Sequence, residues 1–160
     1  MTFELRAAAL LDKCRARGVK IATAESCTGG MVAALLTTIA GSSDVFDCGF
    51  VTYSNEAKIG MLGVSSEVIA EFGAVSRECA LAMAHGAILK SAATLAVSIT
   101  GIAGPGGGSA AKPVGLVHFA CAQRNGVTLH REERFGDIGR DGVRRASVEA
   151  ALELLEAQLL

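Results

Sequence analysis

A serine pair, Ser42-Ser43, precedes the chain's only tyrosine and a lysine in the run Tyr53-Ser54-Asn55-Glu56-Ala57-Lys58. A serine hydroxyl becomes a nucleophile when a base removes its proton, and no Ser/His/Asp set stands out in this sequence. Lysine serves as that base when its pKa falls from about 10.4 toward neutrality. Burial lowers it, and so does the positive end of a helix dipole. Ser54-Asn55-Glu56 reads as a helix start, which puts Lys58 in the first turn, where the dipole opposes its charge. Tyr53, at the end of the preceding strand, can pass a proton between serine, lysine and a leaving group. Two capping serines and a surface lysine account for the same residues equally well.

Two glycine-rich turns form the other chemical feature: Glu25-Ser26-Cys27-Thr28-Gly29-Gly30, and the loop that begins Thr100-Gly101-Ile102-Ala103-Gly104 and runs to Ser109. Glycines let backbone N–H groups approach an anion, and a following helix N-terminus adds a favourable dipole. Neither turn fits GxxxxGK[ST], and neither fits GxGxxG opening a helix. Ser26, Thr28, Gly29, Gly30, Gly101 and Gly104 are therefore candidates for holding substrate, with Glu25 binding or orienting it. Cys27 is a rival nucleophile, because a helix N-terminus favours a thiolate. His85, His118 and His130 fall inside a helix or strands and read as packing or surface residues.

The elements that must position these groups follow from periodicity. An amphipathic helix over about 2–17 carries Ala7, Leu10, Leu11 and Cys14 at helical spacing. Val19–Ala24 is a strand apolar enough for burial on both faces. A helix over Met31–Ala40, capped by Gly41, leads to a strand over Phe46–Tyr53. Helices start at Ser54 and Ser65, and Ser76 caps a longer one to about Lys90. Leu95–Thr100 is a third buried strand. Val114–Ala122 and Val127–Phe135 form a hairpin about Asn125-Gly126. A final helix spans about Gly139 to Leu159. Alternating strands and helices followed by a hairpin predict an α/β, three-layer α/β/α fold with a mixed sheet of about five strands, one domain over 1–160. In an open sheet of this kind ligands bind at the carboxyl ends of strands, where both glycine turns fall.

Composition narrows the function classes. The 160 residues are 51% hydrophobic and 19% charged, which suits a packed globular core. Arg131, Arg134, Arg140, Arg144 and Arg145 are interleaved with acids, and the net charge of −1 argues against a nucleic-acid partner. The five cysteines are scattered, without a CxxC pair or zinc-like spacing, which points to free thiols in a reducing compartment. No run approaches the roughly 20 apolar residues that span a bilayer. The expectation is a cytoplasmic protein without a membrane partner, whose apolar helical faces favour a homo-oligomer.

Six segments in register carry a family resemblance: Ala24–Gly30, Ala40–Ser43, Gly49–Lys58, Gly73–Ser76, Gly101–Gly107 and Lys112–Gly115. Together they resemble the C-terminal domain of the competence/damage-inducible protein CinA, a family of nicotinamide-nucleotide amidases. The resemblance covers nearly the whole chain, in the family's stand-alone form. It implies deamidation of a small-molecule pyridine nucleotide, nicotinamide mononucleotide, to nicotinate mononucleotide and ammonia, in pyridine-nucleotide recycling. It also implies that neither metal nor cofactor takes part. Carried onto this sequence, the family's serine nucleophile falls in the Ser42-Ser43 pair, with Ser43 favoured over Ser42 and Ser26. Lys58 is then the general base and Tyr53 assists. Thr100 matches an active-site position and Arg140 a substrate-contacting arginine, with Arg144 and Arg145 as neighbours that could take its place. Two other classes remain open: a nucleotide-binding regulatory module without catalysis, and an interaction protein in DNA uptake or repair.

Overall fold

A computed structural model describes residues 1–160. Three short strands rich in small and β-branched residues, β1 (Ile21–Glu25), β2 (Phe46–Val51) and β3 (Leu95–Gly101), run parallel. β4 (Leu116–Gln123) and β5 (Thr128–Arg134) extend the sheet antiparallel, joined through a turn in which Asn125 adopts a positive φ of 56°. The strand order is β2-β1-β3-β4-β5. β1 and β3 are buried along nearly their whole length, as their unbroken apolar pattern predicts.

Alternation along the strands builds two cores. Ile21, Val97, Ile99, Val117 and Phe119 face α1 (Phe3–Ala16), α2 (Met31–Thr38) and α6 (Arg140–Ala157). Ala22, Ala24, Ala96, Ala120 and Ala122 face α5 (Arg77–Leu89), with α3 (Asn55–Leu62) and α4 (Ser66–Phe72) beside it. The second face is almost all alanine, so α5 packs close to the sheet. The three-layer α/β/α architecture and the five-stranded mixed sheet are those expected. The boundaries differ by a few residues: β1 starts at Ile21 and includes Glu25, and α2 ends at Thr38. Ser42–Asp44, read as loop, forms a single turn of 3-10 helix. No helix is long and apolar enough to cross a membrane.

The winding fixes where a site can form. From β1 the chain passes through α2 to β2 on one face, then returns through α3, α4 and α5 to β3 on the other. The direction of winding therefore reverses between β1 and β3. A crevice opens at their carboxyl ends, the general ligand position in open α/β sheets. Ser26 follows β1 there, Tyr53 follows β2, and Thr100 lies at the end of β3.

Helix α3 reaches this edge because its amino end is well specified. Ser54 accepts a bond from Ala57 N–H (3.0 Å), and Gly63 closes the helix in a left-handed conformation (φ 70°). One turn beyond Lys58, Leu62 rests on α5 at Gly86, where an added Cβ would collide with the Leu62 carbonyl. Gly86→Ala is therefore expected to destabilise the protein by about 1–3 kcal/mol through overpacking. Urea unfolding checks this as a lower midpoint with unchanged slope.

Candidate active site

A lysine side chain is rarely buried without a partner charge, yet Lys58 is only 1% exposed. Its amine meets three oxygens: Thr52 C=O at 2.9 Å, Tyr53 C=O at 3.2 Å and Ser26 Oγ at 3.0 Å. The carbonyls come from the chain leaving β2, and the hydroxyl from the turn leaving β1. Parallel pairing of Glu25 with Val51 brings those two exits side by side. Burial pushes the Lys58 amine below its ordinary pKa. Its place in the first turn of α3 works in the same direction.

A neutral amine carries two N–H groups and one lone pair. With both N–H groups donated to the two carbonyls, the lone pair is left to accept the Ser26 O–H. That is the arrangement a general base needs toward a nucleophile.

The surrounding cleft, of about 200 Å³, is lined by Ser26, Cys27, Tyr53, Asn55, Lys58, Ala74, Val75, Thr100, Gly101, Ala103 and Arg140. Six of the sequence-predicted residues therefore meet there: Ser26, Tyr53, Lys58, Thr100, Gly101 and Arg140. The Thr100 hydroxyl donates to the Ala74 carbonyl (2.8 Å), tying β3 to the segment before α5. Arg140, the first residue of α6, donates to the Gly104 carbonyl (2.7 Å) and to the Tyr53 hydroxyl (3.0 Å). The Tyr53–Arg140 pair forms an exposed rim above the buried amine.

The other predicted residues lie elsewhere. Ser42 and Ser43 precede β2, at the amino end of the sheet, while the cleft is at its carboxyl end. The six residues of β2, at about 3.3 Å each, put roughly 20 Å of strand between them. Ser43 is exposed, and the turn holding it is tied to α1 through Arg15–Asp44 contacts of 2.7 and 3.0 Å. The structure thus does not bring Ser43 to Lys58, because loops that precede and follow one strand emerge at opposite ends. Glu25, Thr28, Gly29 and Gly30 lie behind the cleft rather than in its wall. Glu25 is fully buried and engaged with α2. Gly104 offers its carbonyl to Arg140 but does not line the cleft. Arg144 donates to the Cys27 carbonyl (3.1 Å), and Arg145 pairs with Asp141 at the surface.

Sequence reasoning missed Asn55, Ala74, Val75 and Ala103. Asn55 was visible as the residue after the helix cap, and its side chain has no bond within the protein; the small residues carried no signal. No histidine enters the cleft: His85 meets Thr128 (2.9 Å), and His118 meets His130 (3.1 Å). No three His, Cys, Asp or Glu side chains gather as a metal-binding group. Cys27 lines the cleft, but burial pushes its thiol up to about 11.

Fold and site together define an α/β protein with a buried serine–lysine pair at the switch point of its sheet. The chain belongs to the family described as CinA C-terminal domain, whose pattern matches residues 4–159. It is 54% identical over 147 residues to the nicotinamide-nucleotide amidohydrolase PncC of Escherichia coli K12, covering 91% of this chain and 88% of that protein. It superposes on the competence/damage-inducible protein CihA of Agrobacterium tumefaciens with a TM-score of 0.95 and 58% identity, covering 97% and 94% of the two chains. A competence damage-inducible protein A from Klebsiella pneumoniae is more distant at 36% identity, yet its TM-score is 0.94 over 99% of this chain and 98% of that one.

With its thiol near 11, Cys27 is ionised to only about one part in a thousand at pH 8. Iodoacetamide at pH 8 is expected to leave Cys27 of the native protein unmodified, by peptide mass analysis, with activity retained. Rapid alkylation of Cys27 accompanied by loss of activity would return the nucleophile's role to the thiol.

Proposed function

We propose that this chain is a nicotinamide-nucleotide amidohydrolase, converting nicotinamide mononucleotide and water to nicotinate mononucleotide and ammonia, with Ser26 as nucleophile and Lys58 as general base. The single observation that carries the residue assignment is the 3.0 Å approach of Lys58 Nζ to Ser26 Oγ in a buried site. The 54% identity to a protein named for that activity supports the substrate class.

In this reading Ser26 Oγ attacks the carboxamide carbon while its proton passes to Lys58 Nζ. The carbonyl oxygen becomes an oxyanion, for which the backbone N–H of Cys27, a residue of the cleft wall, is at hand. Lys58, now an ammonium, returns the proton to the departing nitrogen, and ammonia leaves an acyl ester on Ser26. Water, deprotonated by the same amine, attacks the ester; the amine hands that proton to the departing Ser26 Oγ, and the acid product loses its own proton to solvent and leaves as the carboxylate. The Tyr53 hydroxyl and Arg140 stand at the mouth. Two of the guanidinium's five N–H groups are engaged there, which leaves donors for the nucleotide phosphate.

A binding module without catalysis has no use for an amine desolvated against a serine. Catalysis at this site accounts for the burial of Lys58 directly. The five free cysteines suit a cytoplasmic setting, and exposed Val51, Met61 and Ile138 offer apolar surface for a homo-oligomer.

Ser26→Ala is expected to lower ammonia release from nicotinamide mononucleotide by about six orders of magnitude, as loss of a nucleophile does in other serine hydrolases. Ser43→Ala should stay near the unmutated rate in the same coupled assay. The reverse pattern would move the nucleophile back to Ser43.

The pH profile follows from the direction of the Lys58 shift. The base works only when neutral, so kcat/KM should rise with pH. The midpoint of that rise should fall below the ordinary lysine value of about 10.4. A rise that begins only at the ordinary value would contradict the assignment.

A further inference from the structure

Glu25, immediately before Ser26, is a fully buried carboxylate that the proposed chemistry does not use. A buried carboxylate is costly unless its oxygens are hydrogen-bonded. Here the Thr28 hydroxyl donates to one oxygen (2.7 Å), Val32 N–H to the same oxygen (2.9 Å) and Ala33 N–H to the other (3.1 Å). The reason lies in how α2 begins. Its N-cap, Gly30, is left-handed with φ 103° and has no side chain to satisfy the first amides. Val32 and Ala33 are the second and third residues of α2, whose amides a capping side chain ordinarily serves. Glu25 caps them from up to eight residues upstream and places its negative charge at the positive end of the helix.

The turn between is thereby gripped from two sides. Glu25 holds the Thr28 hydroxyl, while Arg144 of α6 donates to the carbonyls of Cys27 (3.1 Å) and Thr28 (3.4 Å). The backbone of the turn is also fixed by Ser26 N–H to Ile99 C=O and by Thr52 N–H to Glu25 C=O, each 2.9 Å. Two of these bonds join the exits of β1, β2 and β3. With its carbonyls and hydroxyl anchored behind the cleft, the turn leaves Ser26 and Cys27 at the cleft wall.

We propose that Glu25 is a positioning residue for the reaction, its carboxylate fixing the Ser26–Gly30 turn so that Ser26 Oγ is held in reach of Lys58 and the Cys27 amide stays available to the oxyanion. The inference rests on the reading of Ser26 as nucleophile. It assigns Glu25 no contact with substrate, unlike the sequence expectation. A preorganised nucleophile and oxyanion site act on the transition state rather than on ground-state binding, so the loss should fall on kcat.

The test uses the full chain and nicotinamide mononucleotide. Glu25→Gln keeps the size but turns an NH2 group toward N–H and O–H donors. A displacement of about 1 Å costs about 100-fold in rate, so kcat should fall by about that factor, with KM nearly unchanged. Phosphonylation of Ser26 by a fluorophosphonate should slow in parallel. Thr28→Val removes one bond to Glu25 without stranding a buried charge, and should lower kcat less, again at constant KM. It carries the test alone if Glu25→Gln does not fold.

If both fold, the double variant should lose less than the product of the two single losses, because both act through one contact. Unchanged kcat in folded Glu25→Gln overturns the inference, as does a raised KM at constant kcat, which would place Glu25 against substrate. If Ser26→Ala retains activity, the underlying site reading fails. If Ser26→Ala is inactive and Glu25→Gln fully active, only the positioning role fails.

Discussion

The amine of Lys58 is removed from water without a carboxylate beside it, and the rest of the site is organised around that burial. An ammonium in such a place is disfavoured, whereas a neutral amine needs two acceptors and offers one lone pair. The two carbonyls at the exit of β2 supply the acceptors, and Ser26 Oγ lies 3.0 Å from the same nitrogen. Each partner is backbone or a short side chain, so the geometry is set by the fold rather than by flexible groups. The Ser54 cap fixes the start of α3, and Gly86 sets how near α3 lies to α5. Burying this one amine therefore depends on two helices and two strand ends at once.

The strand order makes those dependencies compatible. With β1 between β2 and β3, the turns after three parallel strands share one edge, and the reversal of winding leaves a crevice among them. Ser26, Tyr53 and Thr100 are far apart in sequence but all follow, or end, a parallel strand. The first turn of α6 reaches over the same edge. From there Arg140 meets Tyr53 at the rim, and Arg144 holds the turn from behind. One helix end thus touches both the mouth of the cleft and the back of the turn that bears the serine.

Much of the frame was legible from residue pattern. The unbroken apolar runs gave β1 and β3, Asn125-Gly126 gave the hairpin, and Ser54, Ser65 and Ser76 marked three helix starts that the structure keeps. Lys58 was readable as a candidate base from its position in a helix's first turn, but its burial was not, since a surface lysine fitted the same residues. The partner serine was less accessible. Ser43 sits nearer to Lys58 along the chain, and Ser26 lies 32 residues away from it. Only the parallel pairing of β1 with β2 decides between them, since it carries the turn after β1 toward Tyr53 and the turn before β2 away. Glu25 posed the complementary difficulty: a carboxylate beside a glycine turn suggests ligand binding. That α2 starts from an uncapped glycine, and so calls for a distant carboxylate, emerges only in three dimensions. Asn55, Ala74, Val75 and Ala103 line the cleft by position alone.

Burial lowers the Lys58 amine from its ordinary pKa and so favours the neutral form that can act as a base toward Ser26. The Lys58 side chain can be followed directly by the pH titration of its ε-carbon resonance in isotopically labelled protein, assigned with Lys58→Arg. A lysine base facing Ser26 predicts a midpoint below the ordinary lysine value of about 10.4, set apart from the surface lysines. It also predicts that the midpoint moves when Ser26 is replaced by alanine. A Lys58 resonance that titrates together with the surface lysines, and is indifferent to Ser26, would contradict it.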